Sequence, residues 1–255
     1  MEWRWWPDDQ ARSGPANMAI DQALLELAGE EGLAVLRTYR WEPHTLSFGR
    51  NEPTGRRYDR AVISRERIPV VRRPTGGRAV WHARELTYAV AAPADRFGSL
   101  PAAYRTIHET IARALRALGA DATLADTRGG AALDAGACFA IPAGGEVMVA
   151  GRKVVGSAQV RDAGAMLQHG SVLLDDDQTC VAALTLGAAP AGGEVPLNRV
   201  LGRPATFADV AAAVADAASR DWPGRWAPLG DPSAVLARAD RHLERFASDD
   251  WTWRR

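Results

Sequence analysis

The feature that constrains the fold most is the spacing of apolar residues, which changes from helical to strand periodicity along the chain. Apolar side chains recur at helical spacing over residues 20–28 and 107–118, and these two stretches end at Gly32 and Gly119. Short β-branched and aromatic runs, separated by glycine and proline, lie between them and are typical of strands. The predicted strands cover residues 35–41, 45–48, 68–72, 79–81 and 86–91.

The second half of the chain continues this mixture. Three more strands are predicted at residues 146–149, 153–160 and 171–174, with Gly151-Arg152 as a hairpin turn, and two helices follow at about 207–218 and 232–246. Because the strands are grouped in meanders and do not alternate regularly with helices, the sequence predicts an α+β (mixed α/β) fold. Within 255 residues we expect one main domain over 1–205 and a C-terminal helical segment, 206–255, packed on it.

Charge and cysteine content narrow the class of protein. The 31 basic and 31 acidic residues give a net charge of zero, which argues against binding nucleic acid through the overall field. Two cysteines are too few for a secreted disulfide scaffold. The sequence shows no targeting segment and no run of 18 apolar residues, so we expect a cytoplasmic protein with no membrane partner.

The basic residues comprise 30 arginines and one lysine, Lys153. Only an amine is a compact charge whose pKa burial can move, so a lysine kept in an arginine-rich chain is a candidate for chemistry. Lys153 begins a predicted strand that continues into Gly156, Ser157 and Ala158, whose small side chains leave a trough suited to a linear acyl chain. The strand alone leaves open a solvated lysine at a sheet edge.

Two other segments carry candidate binding groups. The Arg72-Arg73-Pro-Thr-Gly-Gly-Arg turn joins two strands, so guanidinium groups and glycine amides there can converge on one ligand. A His-Gly-Ser strand lies further along. Each segment alone also fits an ordinary hairpin or a structural histidine. The candidate substrate-binding residues in the two segments are Arg73, Gly76, Gly77, Arg78, His82, His169 and Gly170.

The order and spacing of these three segments resembles the biotin/lipoate protein ligase and lipoyltransferase superfamily. The resemblance begins at Asn17-Met-Ala-Ile-Asp21, includes Trp41-Glu-Pro43 and Ser47-Phe-Gly49, and covers roughly residues 15–175. It implies a central mixed β-sheet flanked by helices, like the cores of class II aminoacyl-tRNA synthetases and biotin ligases. It also implies a substrate with an octanoyl or lipoyl group and the acceptor lysine of a lipoyl domain.

Within this superfamily the chain most resembles the cysteine-dependent octanoyltransferase of Gram-positive type. Arg78 and Ala83 stand where ATP-using lipoate ligases usually carry a glycine and an acidic residue. Cys138, 15 residues before Lys153, stands where the resemblance places a catalytic nucleophile, whereas Cys180 follows His169 too closely for the other octanoyltransferase family. We therefore expect Cys138 and Lys153 to be catalytic and Cys180 to be a buried apolar residue.

The resemblance implies octanoyl-acyl carrier protein as donor and, as acceptor, a lipoyl-domain protein such as the glycine cleavage H protein or a 2-oxoacid dehydrogenase E2. A thioester donor needs a thiolate and no ATP, so we expect no cofactor and no metal. An ammonium about 4 Å from Cys138 would favour its thiolate by roughly 4 kcal/mol before desolvation. Alternatives are an ATP- and Mg-dependent lipoate ligase, an octanoyl or lipoyl amidotransferase between lipoyl proteins, and a degenerate acyl-binding member.

An arginine cluster precedes the Gly-Gly turn. Its ordinary explanation is a solvated face, and its functional one is a dock for an acidic carrier or lipoyl domain. The cluster comprises Arg56, Arg57, Arg60, Arg65 and Arg67.

Overall fold

The computed structural model describes residues 2–125, 145–175, 178–187 and 193–254. Its strands, in chain order, are β1 Glu2–Pro7, β2 Val35–Tyr39, β3 Thr45–Phe48, β4 Val70–Arg72, β5 Val80–His82, β6 Glu85–Pro93, β7 Ala122–Leu124, β8 Val147–Val149, β9 Arg152–Lys153, β10 Val155–Asp162, β11 Ala165–Leu173 and β12 Arg225–Pro228. Its helices are α1 Gly14–Glu31, α2 Thr54–Arg57, α3 Arg60–Arg65, α4 Leu100–Ala117, α5 Thr179–Leu184, α6 Leu197–Leu201, α7 Phe207–Asp221, α8 Ser233–Ala247 and α9 Asp249–Thr252.

The main sheet has the order β10-β11-β6-β2-β1-β12. Pairing is antiparallel from β10 through β2 and parallel from β2 to β1 and from β1 to β12, so the sheet is mixed, as the sequence predicts. Smaller sheets β4-β3-β5 and β7-β8-β9 flank it. The predicted fold class, a mixed sheet flanked by helices, is confirmed.

Both faces of the main sheet are covered by helices. Along β6, Leu86, Tyr88 and Val90 belong to an apolar cluster that includes α4 and α7. Ala89 and Ala91 belong to a second cluster that includes α1 and α8. This alternation is the two-residue period of a strand buried on both faces, and it explains why β6 reads as a nearly continuous apolar run.

The long helices begin and end where local chemistry predicts. The hydroxyl of Ser13 accepts a hydrogen bond from the amide of Ala16 at the start of α1, and Gly32 ends that helix with φ 71°. The hydroxyl of Ser99 caps α4 in the same way. None of the helices in the described part of the chain combines the length and the hydropathy that a membrane span requires.

Two sequence predictions near Lys153 need correction. The hairpin turn lies at Ala150-Gly151, not at Gly151-Arg152, because both turn residues have positive φ, 51° and 71°. The single strand predicted over residues 153–160 is two strands in different sheets. The amide of Val154 bonds to Val147 in one sheet while its carbonyl accepts from Leu173 in the other, so the chain crosses between sheets there.

The C-terminal 50 residues include more than helices. Strand β12 extends the main sheet by pairing with β1, helix α7 packs on α4, and helix α8 packs on α1. The division of the chain at residue 205 stays a prediction.

Candidate active site

A narrow cleft lies against β10 and β11 of the main sheet. The space between its walls, part of it open to solvent, is about 310 Å³, which is at the lower end of the range of small-molecule sites. The cleft therefore suits a thin chain better than a bulky ligand. The described residues that line it are Met18, Tyr39, Trp41, Arg73, Val80, His82, Thr87, Gly156, Ser157, Ala158, His169, Gly170 and Ser171.

The cleft exists because the strands that form it carry small residues where they face each other. Ser157 lies opposite Gly170 in the β10–β11 register. A Cβ added to Gly170 would lie 2.2 Å from the Ser157 hydroxyl and 2.7 Å from the Gly156 carbonyl oxygen. Glycine is therefore required at position 170 by close approach, and the predicted trough at Gly156, Ser157 and Ala158 is part of the cleft wall.

His169 is held by a buried polar network behind the cleft. Its Nδ1 lies 2.8 Å from an Asp21 oxygen and its Nε2 lies 2.6 Å from the Thr75 hydroxyl. Burial lowers the pKa of His169, so the neutral ring donates from Nδ1 to the carboxylate and accepts from Thr75 at Nε2. The Arg37 guanidinium, also buried, balances Asp21 at 3.0 Å. The histidine thus joins the Gly-Gly turn to α1.

His82 forms a second histidine-centred cluster in the cleft wall. Its Nε2 lies 2.6 Å from the Ser47 hydroxyl and its Nδ1 lies 2.7 Å from a Glu85 oxygen, while its ring stacks on Trp41 with centroids 3.9 Å apart. The same Glu85 oxygen accepts from the Ser171 hydroxyl at 3.0 Å. The ring is fixed at both nitrogens, so it shapes the cleft and cannot swing toward a ligand without breaking a buried bond.

The two arginines of the Gly-Gly turn diverge, which contradicts the expectation that both converge on one ligand. The buried Arg72 guanidinium bonds to carbonyl groups of the 49–52 loop and of the C-terminal residues Thr252 and Arg254. Arg73 turns the other way and donates to Ser47, 2.6 Å away, and to the carbonyl oxygens of Gly76 and Arg78. Only Arg73 lines the cleft.

Of the predicted binding residues, the structure brings seven to the cleft: Arg73, His82, Gly156, Ser157, Ala158, His169 and Gly170. Gly76, Gly77 and Arg78 form the adjoining turn. Gly77 has φ 85° and packs so closely on Gly49 that a Cβ on Gly49 would lie 1.9 Å from its carbonyl oxygen. The turn therefore requires glycine at 49 and 77 for backbone reasons.

Lys153 is fully buried, which excludes the alternative of a solvated lysine at a sheet edge. Its ammonium lies 2.5 Å from a carboxylate oxygen of Glu146, which is also buried. Hairpin β8–β9 brings the two together by pairing Met148 with Lys153. The expected role of Lys153 needs revision, because Glu146 offsets much of the positive field that was to favour a nearby thiolate.

The predicted nucleophile, Cys138, lies outside the described residues. Cys180 is half-buried on α5 and packs against a small apolar cluster, so it is less buried than predicted.

Sequence reasoning missed Glu146 and His108. A buried lysine needs a carboxylate partner, and Glu146 is an acidic residue close to Lys153 along the same hairpin, so this rule points to Glu146 once the fold shows that Lys153 is buried. His108 lies on the apolar stripe of α4 with Ile111 and Leu115, at a spacing that predicts burial. A buried histidine there signals a hydrogen-bonding partner on the sheet.

Comparison with known proteins finds similar sequences and similar folds. The octanoyltransferase LipM of Kyrpidia tusciae is 36% identical to the chain over 263 aligned positions, gaps included, which cover 95% of this chain and 96% of that protein. The crystal structure of lipoate-protein ligase A bound with ATP superposes with a TM-score of 0.80 at 20% identity, covering 99% of both chains. A bi-partite lipoate protein ligase from Thermoplasma acidophilum gives a TM-score of 0.73 at 20% identity, covering 99% of this chain and 96% of that one.

At 20% identity the two structures show the fold alone. A family model described as the lipoyl protein ligase A/B catalytic domain matches residues 13–219, which include the Gly-Gly turn, the Lys153 strand and the His-Gly-Ser strand. The resemblance seen in the sequence is thereby confirmed, and the chain belongs to the lipoyl protein ligase A/B catalytic-domain family.

Proposed function

We propose that this protein is an octanoyltransferase that moves an octanoyl group from octanoyl-acyl carrier protein to the acceptor lysine of a lipoyl domain. The observation that carries the proposal is the 36% identity, over 95% of this chain, to a protein named octanoyltransferase LipM. The narrow cleft supports it, because its walls at Gly156, Ala158 and Met18 suit an unbranched saturated chain.

The proposed reaction has two steps that conserve the activated acyl bond. In the first, the Cys138 thiolate attacks the thioester carbonyl, a new carbon–sulfur bond forms, and the carrier's pantetheine sulfur leaves and takes up a proton. In the second, the amine of the lipoyl-domain lysine attacks the acyl-enzyme carbonyl, an amide bond forms, the carbon–sulfur bond breaks so that Cys138 leaves as a thiolate, and the nitrogen releases one proton. Neither step consumes ATP, and the proposal includes no cofactor.

The neighbouring Glu146 carboxylate limits how strongly Lys153 can stabilise a thiolate. An ammonium next to a carboxylate presents a dipole, so it lowers the pKa of a nearby thiol less than an isolated ammonium would. The pair can still donate a hydrogen bond to the acyl carbonyl oxygen and place a carboxylate where an incoming lysine ammonium must lose a proton. Arginine fits this role poorly, because its planar fork does not replace a compact ammonium 2.5 Å from one oxygen.

The arginine cluster supports an acidic protein partner. Four of its five members, Arg56, Arg60, Arg65 and Arg67, are exposed around α2 and α3. Arg60 and Arg65 each pair with a carboxylate in the exposed region. Surface pairs of this kind exchange readily with a partner's carboxylates, so we expect transfer rates that fall as salt is added. Transfer rates that do not change with salt would show that the arginine cluster does not dock the partner protein.

The test is a transfer assay with purified protein, octanoyl-acyl carrier protein and an apo-lipoyl domain, with and without ATP. We expect octanoylated lipoyl domain without ATP. A requirement for ATP with free lipoate, accompanied by release of pyrophosphate, would instead assign a ligase. Replacing the carrier with an octanoylated lipoyl protein distinguishes an amidotransferase.

A further inference from the structure

A chain of hydrogen bonds crosses the sheet behind the cleft and ends next to Glu146. Each contact is short, between 2.7 and 2.8 Å, and joins side chains on neighbouring elements. All of these groups are buried or half-buried, so water competes little for them. In order, the chain runs through Gln159, Gln168, Tyr88, Ser157, His108 and the carbonyl of Gly145.

The direction of these bonds is fixed at the Gly145 end. The Gly145 carbonyl oxygen only accepts, so His108 carries its proton on Nδ1 and donates there at 2.7 Å. Burial lowers the pKa of His108 to about 4, so the ring is neutral and Nε2 accepts from the Ser157 hydroxyl at 2.8 Å. Ser157 in turn accepts from Tyr88 at 2.7 Å. So low a pKa makes His108 a weak base at neutral pH.

The two neighbours of His108 belong to different parts of the site. Ser157 lies in the wall of the acyl cleft on β10. Gly145 immediately precedes Glu146, whose carboxylate holds the Lys153 ammonium. His108 itself is on α4, whose contacts with β8 and β10 span both parts. One buried ring on a rigid helix therefore sets the distance between the cleft wall and the chain that carries Glu146.

We propose that His108 is a positioning residue for acyl transfer, which fixes the Lys153–Glu146 pair relative to the acyl cleft. The inference rests on the proposed octanoyl transfer. The bond from His108 to Gly145 controls the rate of acyl transfer in the enzyme–substrate complex, whereas the bond to Ser157 shapes the cleft. A displacement of the order of 1 Å in a reacting group is enough to lower a rate about 100-fold.

Two amide substitutions separate the two bonds. In His108→Asn the amide nitrogen takes about the place of Nδ1 and keeps the bond to Gly145. In His108→Gln the amide oxygen takes about the place of Nε2 and keeps the bond from Ser157. We expect kcat to fall roughly tenfold or more in His108→Gln with KM nearly unchanged, and kcat to stay near wild type in His108→Asn. His242→Gln, on α8, is the matched histidine control and should match wild type.

A second readout does not depend on octanoyl transfer. Lys153 is the one lysine of the chain. When the protein is labelled with an amine-reactive ester, the label found on the Lys153 peptide by mass spectrometry therefore measures how accessible the Lys153 side chain is. We expect faster Lys153 labelling in folded His108→Gln than in wild type, His108→Asn or His242→Gln. If the wild type did not transfer octanoyl groups, the proposed function would fail while the labelling would still test the positioning.

The inference is overturned if His108→Gln keeps the wild-type kcat and labelling rate. It is also overturned if the Asn and Gln variants lose kcat, melting temperature and labelling protection equally, because that pattern indicates a merely structural residue.

Discussion

Replacing Gly170 with alanine tests the packing on which the cleft depends. The new Cβ would lie 2.2 Å from the Ser157 hydroxyl, 2.7 Å from the Gly156 carbonyl oxygen and 2.9 Å from a Tyr88 ring carbon. Ser157 can rotate away only by leaving its bonds to Tyr88 and His108, and the Gly156 carbonyl cannot rotate at all. Strand β10 must therefore move away from β11.

The size of the effect follows from two terms. Overpacking costs about 1–3 kcal/mol, and the loss of a buried hydrogen bond adds about 1 kcal/mol, so we expect Gly170→Ala to lower the free energy of unfolding by about 2–4 kcal/mol. For a chain of this size that corresponds to a melting temperature lower by roughly 4–16 °C. Octanoyl transfer should fall as well, since Gly156 and Ser157 line the cleft.

Gly76→Ala is the control for this experiment. A Cβ at Gly76 meets no atom within 4 Å, and its φ lies outside the positive region, so we expect the free energy of unfolding to change by less than about 0.5 kcal/mol. The assay is urea unfolding followed by tryptophan fluorescence. If Gly170→Ala were as stable as Gly76→Ala, the close approach of β10 and β11 would be wrong.

Three buried ionisable residues, Glu146, His108 and Arg72, should each affect stability. Glu146→Ala should lower the free energy of unfolding by about 3–5 kcal/mol, because it leaves the Lys153 ammonium buried without this carboxylate. In a double-mutant cycle measured by urea unfolding, adding Lys153→Met should recover part of that loss. Additive losses would contradict the ion pair between the two residues. The free energy of unfolding should fall as pH drops from about 6.5 toward 4, because over this range the His108 side chain binds a proton in the unfolded chain but not in the folded one. His108 alone should contribute about 3 kcal/mol to this fall. Unfolding titrations of His108→Gln should show a shallower pH dependence. Arg72→Lys should lower the melting temperature measurably, because an ammonium cannot replace the guanidinium hydrogen bonds to Gly49, the 50–52 loop and the C-terminal residues. An unchanged melting temperature would show that these hydrogen bonds are dispensable.

Much of the fold follows from local periodicity. The long helices α1, α4, α7 and α8 have an apolar stripe or a glycine stop, and the sequence predicts each of them within a few residues apart from the first turns of α1 and α4. Strand β6 reads as a continuous apolar run because both of its faces are buried.

The strands β1 and β12 were not predicted. They pair in parallel with each other although more than 200 residues separate them, so no turn between them gives a local signal. The partner of β1 on its other side, β2, is also parallel and lies beyond a helix. Long-range parallel pairing is decided by tertiary packing and not by the residues of either strand alone.

For the site, motif order identified the residues of the cleft but not their orientation. Side chains of consecutive residues alternate in direction along an extended chain, so Arg72, the last residue of β4, and Arg73, which follows it, do not both face one ligand. The Lys153 strand was recognised, while its counter-charge at Glu146 was not, because the motif carries no information on where a buried ammonium finds its partner. Burial, which only the fold shows, made that partner necessary.

The most direct test of the proposed mechanism is to look for the acyl-enzyme. Protein incubated with octanoyl-acyl carrier protein in the absence of acceptor is quenched in acid and analysed by peptide mass spectrometry, with Cys180→Ala and Cys138→Ala variants alongside. We predict the mass of one octanoyl group on the Cys138 peptide in wild type and in Cys180→Ala, and neither adduct nor transfer in Cys138→Ala. Undiminished octanoyl transfer by Cys138→Ala would contradict the covalent mechanism.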